Sequence, residues 1–320
     1  MENRQRDTVM KLHFRILIAL ALALPASAQF AGHNLLGDFG LKSGSQAAPG
    51  FYAGYLMNRY STDTIRGPGG GTLPGSGQRD LTVYAHIGLA SWVTSKKLFG
   101  ADIGGMAAFP VVNLAIDFPR LDFEPQSYGY GDTYVQPLNL GWHLKRADIL
   151  AGYAFDAPTG RYETGANDNL GRGFWSHELS LGSTVYLDQA KTWNVATTGF
   201  YELHTRREGD NAKVGDILTL EGGAGKTLKQ IINVGVVYYA QWKMTTDEAP
   251  QGAGKTVETI LRTKHRVYGV GPEFSIFLPT KMDATGVKSG LSFVARYFWE
   301  TGAVNKTEGG GLTLSLAYMF

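Results

Sequence analysis

The sequence predicts an all-β chain, a transmembrane antiparallel up-and-down β-barrel of about 12 strands. Three observations carry that prediction. Apolar residues recur on every second position through most of the chain, which is the strand period. The connections between these stretches alternate, long then short, as a barrel with long extracellular loops and short periplasmic turns requires. A secretory leader precedes them all. A soluble β-sandwich would have no reason to alternate its loop lengths.

Composition narrows the function classes. Gly accounts for 42 of 320 residues, roughly twice the usual share. Cys is absent, so there is neither a disulfide framework nor thiolate chemistry. Lys+Arg number 30 and Asp+Glu 28; taking away the four basic and two acidic residues of 1–28 leaves 26 of each. A mature chain near zero net charge lacks the basic stripe of a nucleic-acid binder, and no nucleic-acid partner is expected. Mean hydropathy is −0.14. A membrane barrel reaches so low a value because lipid-facing and lumen-facing residues alternate and average out.

Residues 1–28 read as a secretory signal. Lys11 and Arg15 precede an apolar run from Ile16 to Leu24, and Ala26-Ser27-Ala28 is a small-residue cleavage site, which puts the mature start at Gln29. The polar stretch before Met10 fits no part of a signal and marks Met10 as an alternative start. No later run approaches 18 apolar residues, so no helical span is predicted. Residues 29–50 are Gly-rich and irregular, either a periplasmic lead-in or a segment of the lumen. The barrel is assigned to 51–320.

Strand-like stretches follow at 51–60, 81–94, 103–118, 133–144, 147–157, 174–187, 192–204, 216–228, 229–242, 266–278, 287–300 and 312–320. In the second, Leu81, Val83, Ala85, Ile87 and Leu89 alternate with Thr82, Tyr84, His86 and Gly88. Pro110 interrupts the third, where a ladder bond must be missing or bulged. The fourth shows a single row of Tyr134, Gln136, Leu138, Leu140 and Trp142. The connection at 279–286 is of moderate length, and a long one is expected before the closing strand. Tyr60, Trp92, Trp142, Trp175, Trp193, Trp242 and Trp299 sit near strand ends, as interfacial girdles would. In the closing strand Leu312, Leu314, Leu316, Tyr318 and Phe320 share one face. That strand and its final aromatic resemble the signal read by the outer-membrane assembly machinery, which would assign Tyr318 and Phe320 to recognition.

Longer stretches carry a family resemblance. FGLKSGSQAAPGFY (39–52), YGYGDTYVQPLNLGWH (128–143), AGYAFDAPTGRY (151–162), NLGRGFWS (169–176) and GDILTLEGGAG (215–225) resemble, in order, the family named for the meta-pathway of phenol degradation. The resemblance covers nearly the whole mature chain. It implies an outer-membrane barrel that helps take up aromatic or other hydrophobic compounds, and it carries no catalytic residues over.

Residues that could do chemistry are few. GGAGKT (222–227) and GAGKT (252–256) imitate phosphate loops, but Leu220 and Ala249 stand where the first Gly belongs, so both fail. His33, His86, His143, His177, His204 and His265 show no metal-ligand spacing. A barrel lipid hydrolase would need a Ser–His pair, for which His177 with Ser176 or Ser180, or His86 with Ser91, are the candidates. If Trp175, Leu179, Leu181, Val185 and Leu187 face lipid, then Ser176, Glu178, Ser180, Gly182 and Thr184 face inward. The same parity sends Asp117, Asp156, Glu202, Glu221, Glu273 and Arg296 inward, because charge on the lipid face is costly. A one-residue register error would invert any of these assignments. The expected function is a channel for passive uptake of small hydrophobic or aromatic compounds. It would need no cofactor, and its partners would be outer-membrane lipid, the assembly machinery and the solutes. The alternatives are a structural or surface-interaction barrel with a plugged lumen and, third, the hydrolase.

Overall fold

Alternation along the chain becomes alternation across a wall. In the computed structural model, residues 31–73, 76–77, 80–117, 126–166, 168–255, 258, 262–283 and 286–320 are described. The strands are β1 (Gly50–Arg66), β2 (Asp80–Leu98), β3 (Ala101–Asp117), β4 (Gln126–Tyr130), β5 (Thr133–His143), β6 (Ala147–Ala157) and β7 (Ser176–Tyr186). They continue with β8 (Trp193–His204), β9 (Ile217–Leu228), β10 (Ile232–Lys243), β11 (Arg266–Asp283), β12 (Gly286–Val304) and β13 (Lys306–Met319).

All pairings are antiparallel, and β1 bonds to both β2 and β13. The ring therefore closes through β2–β3, β3–β5 and each successive neighbour to β13. Twelve strands build it, and closure leaves it no free edge. The short β4 stands outside the ring and extends the loop end of β3, opposite Val111 to Ala115. It departs from expectation, since the sequence reads as loop through 119–132.

β7 shows how the wall is made. Glu178, Ser180 and Thr184 are buried, whereas Leu179, Leu181 and Val185 are 53%, 66% and 45% exposed. In water such a row would be unstable; against lipid tails it is the favoured surface. Strands of 11 residues, such as β5, β6 and β7, match the length a tilted strand needs to cross a bilayer. All six Trp side chains point outward in two belts. Trp175, Trp242 and Trp299 lie towards the long-loop end of their strands, and Trp92, Trp142 and Trp193 towards the short-turn end.

Four expectations are corrected. Tyr60 belongs to no girdle: its hydroxyl points inward and donates to Glu300 Oε2 at 2.7 Å. The row from Tyr134 to Trp142 is broken by a bulge between Val135 and Leu138, where Pro137 has no N–H for the ladder. Tyr134 and Gln136 therefore face inward, and Leu138, Leu140 and Trp142 face outward. The last connection is a tight turn at Asn305 (φ 51°), not a long loop, so β12 and β13 rise well above their predicted ends. The connection at 279–286 is shorter than expected, because β11 runs on to Asp283 and β12 starts at Gly286.

Candidate functional site

The candidate site is the lumen, and its two walls differ. On the first wall the inward positions mix acidic and polar side chains with apolar ones such as Phe200, Val237 and Phe298. Glu178 and Glu202 stand directly opposite each other on β7 and β8, and Glu273 faces Arg296 across β11 and β12. Asp156, Glu178, Glu202, Glu221 and Glu273 are all buried. Arg296 Nε donates to Glu273 Oε2 at 2.6 Å. Asp117 ends β3 opposite Asp80, and its side chain lies outside the described residues.

Residues 32–45 lie along this wall, and the carboxylates hold the main chain of 33–41. Glu202 Oε1 accepts from His33 N at 2.6 Å and Asn34 N at 3.1 Å. Glu221 accepts from Gly37 N and Phe39 N, both at 2.9 Å, and Glu273 from Leu41 N at 3.2 Å. Nearer the turn end, Ser45 Oγ donates to Asp148 Oδ2 at 2.8 Å and Gln46 Nε2 to Asn139 O at 2.9 Å. Leu41 anchors the middle, packed with Val237, Tyr239, Val267, Phe298 and Ala303. Gly37 has φ +80°, and a side chain there would run into the Phe298 ring; one at Gly44 would strike the main chain of Ser183. The glycines of 29–50 thus let the segment lie flat on the wall. A cavity of about 180 Å³ remains between residues 38–43 and Asn233, Glu273, Ser275 and Arg296.

His33 ties the segment to the loop end. Its Nε2 lies 2.8 Å from Asp132 Oδ2 and its Nδ1 2.5 Å from Ser176 Oγ. Burial lowers its pKa to about 4, against the hydrogen bond it donates to Asp132, so the imidazole is neutral at pH 7. Nε2–H then donates to Asp132, and Ser176 donates to Nδ1. Burial alone would raise Asp132, but hydrogen bonds from His33, Gly160 N and Arg172 N outweigh it and hold its carboxyl below the usual range.

These three residues have the types of a nucleophile triad without its access. Ser176 is 0% exposed and its hydroxyl proton is committed to His33. The Ser–His pairs considered from sequence do not assemble. His177 stacks outward on Tyr153, with its Nδ1 2.8 Å from the Tyr153 hydroxyl, while Ser176 and Ser180 face inward. His86 likewise pairs with Tyr55 on the outer face, and Ser91 falls on the inner one. Among the described residues no group of His, Asp and Glu could hold a metal ion. GGAGKT lies within β9, paired on both sides, so its N–H groups belong to the sheet and not to a phosphate cradle.

The second wall is β2 and β3. Ala85 opposes buried Asn58, and Ile87 opposes buried Leu56, so the odd positions of β2 face inward. On β3 the inward partners are Leu114 for Val83, Val112 for Ala85, Pro110 for Ile87 and Ala108 for Leu89. Every one of these is apolar.

A closed antiparallel barrel with a lipid-facing exterior and a polar internal segment is a transmembrane barrel of the outer-membrane class. The sequence matches the family described as "Putative MetA-pathway of phenol degradation" over residues 62–316, and the chain belongs to that family. The fold is shared with an outer-membrane channel from Pseudomonas putida F1, at 14% identity and TM-score 0.70, over 90% of this chain and 100% of that one. The transport unit of an Escherichia coli autotransporter is less similar, at 10% identity and TM-score 0.45, over 95% and 97%. No curated protein matches the sequence.

Sequence parity points at the acidic positions but says nothing of what they hold. His33, Asp132 and Asp148 escape it as site residues, because their partners lie 143, 99 and 103 residues away. The Gly-rich composition of 29–50 is the one signal of them that the sequence offers.

Proposed function

We propose that the protein is an outer-membrane channel for passive uptake of small hydrophobic or aromatic compounds. The observation that carries this reading is the interior itself: one wall is lined by carboxylates and the other by apolar side chains. The apolar wall is only half-buried, unlike a packed core. The family match and the fold shared with a channel support it. The reading requires no chemistry of the protein. Residues 1–28 act as the export signal, and Tyr318 with Phe320 serves recognition by the assembly machinery. The carboxylates on 33–41 favour a second reading, a structural barrel whose lumen is closed by its own segment.

Single-channel recording of the refolded protein in a planar bilayer separates the two. The channel reading expects steady conductance that changes when Arg296→Gln removes the cation beside Glu273. It also expects liposome swelling with phenol-like solutes to exceed that with sugars. Absence of conductance and of selective swelling, from protein that is heat-modifiable on a gel and so folded, leaves the structural reading.

A further inference from the structure

Coverage of the two walls is unequal, and on the covered one polar groups are buried along with apolar ones. Glu178, Ser180, Thr184, Thr198, Glu202, Thr219 and Glu221 are all buried, beneath the segment and its neighbours. A wet lumen would normally leave such groups open and cover apolar ones. Here the inward positions from Leu81 to Leu89 on β2 and from Met106 to Leu114 on β3 are half-buried, with only Ala85 and Ala108 buried. Among the described residues, the hydrogen bonds that tie 32–45 to the barrel run to β7, β8, β9, β11 and β12, to Asp132 or to Asp148 on β6, and none to β2 or β3; Gln46, at the turn end below the strip, bonds to Asn139 on β5 and lies against Gly104 of β3.

The uncovered apolar strip is continuous. It starts at Leu81 and Leu114 at the loop end and runs to Leu89 and Ala108 towards the turn end, where Ser91 closes it. Over that length the strip presents no charge and no hydrogen-bonding side chain. A polar or ionic solute gains nothing there, whereas a neutral apolar one sheds water along the whole path. We propose that neutral aromatic or aliphatic solutes cross the barrel against the inner face of β2 and β3, while residues 32–45 stay on the opposite wall.

This proposal rests on the channel reading, so the test separates the two. The probe is N-phenyl-1-naphthylamine, a neutral aromatic dye excluded by an intact outer membrane, supplied to Gram-negative cells producing the full chain. Val83→Asn and Leu89→Asn place an amide on the inner face, and Thr82→Asn places the same group on the outer face of the same strand. The inward variants should each slow dye entry by about tenfold, because a solute without hydrogen-bonding groups must pass an amide stripped of water. Thr82→Asn should match the parent. Should the parent admit no more dye than cells making an unrelated barrel, the channel reading fails and this proposal with it. Should the parent admit dye while all three variants, shown folded by heat-modifiability, admit it equally, the route is overturned and the channel reading stands. An inward variant that does not fold is replaced by Ile87→Asn or Val112→Asn, which are inward and half-buried too.

Discussion

Glu221→Gln asks whether the internal segment is held by carboxylates or by fit alone. Glu221 is 0% exposed, and its two oxygens accept from Gly37 N and Phe39 N at 2.9 Å each. Glutamine has the same shape but keeps one acceptor, so its NH₂ must face one of the two N–H donors. The variant loses one accepted hydrogen bond and leaves a buried donor unpaired, a cost of about 1–3 kcal/mol. At 1.4 kcal/mol per factor of ten, opening of this part of the segment becomes about 5- to 150-fold more frequent. The anchors at Glu202 and Glu273 remain, so the effect is confined to the stretch between them. Hydrogen–deuterium exchange of the refolded protein in detergent measures it directly. Exchange at Gly37 and Phe39 should accelerate by that factor, while the amides of β7, β8 and β10 keep their protection. Unchanged exchange at 36–40 in a folded variant would refute the reasoning and show that apolar packing of Leu41 and its neighbours suffices.

Two further outcomes follow from the same geometry. The hold on His33 weakens with acid: pinned, it takes a proton only below about 4, whereas released it does so below its ordinary 6.5. The pinned state is therefore fully favoured above pH 6.5 and loses up to about 3 kcal/mol as pH falls to 4. The low Asp132 carboxyl adds a loss of the same sign at still lower pH. Exchange of residues 32–36, corrected for its intrinsic pH dependence, should rise across that window in the parent and stay flat in His33→Gln; a flat parent profile would contradict it. On the outer wall, Leu181→Arg puts a cation on the lipid face in the middle of β7, where Leu181 is 66% exposed. It should lower stability in lipid vesicles by about 2–4 kcal/mol in denaturant titration, and no loss would place Leu181 outside the hydrocarbon.

Much of the wall is legible in the residue pattern. On β7 the period of two needs only one anchored residue to orient the rest, and Leu179, Leu181 and Val185 do face out while Glu178, Ser180 and Thr184 face in. Parity fails where the ladder itself is irregular. Pro137 inserts a bulge that moves Leu138, Leu140 and Trp142 to the face opposite Tyr134, and no rule of alternation can count across an unpaired residue. Tyr60 defeats the pattern because an aromatic near a strand end suits either face; the Glu300 carboxylate that draws it inward lies 240 residues on.

Sequence alone, then, determined that this chain is a strand-built, exported barrel with an apolar outside and charges within, since those properties follow from local periodicity and the cost of charge in lipid. Only the tertiary structure decided what the charges are for. The partners of Gly37 and Leu41 lie 184 and 232 residues away, and ring closure is what brings them onto one wall. The same closure sets the apolar faces of β2 and β3 across the lumen from them. Which wall is covered and which is open is a property of the enclosed space, and no local pattern contains it.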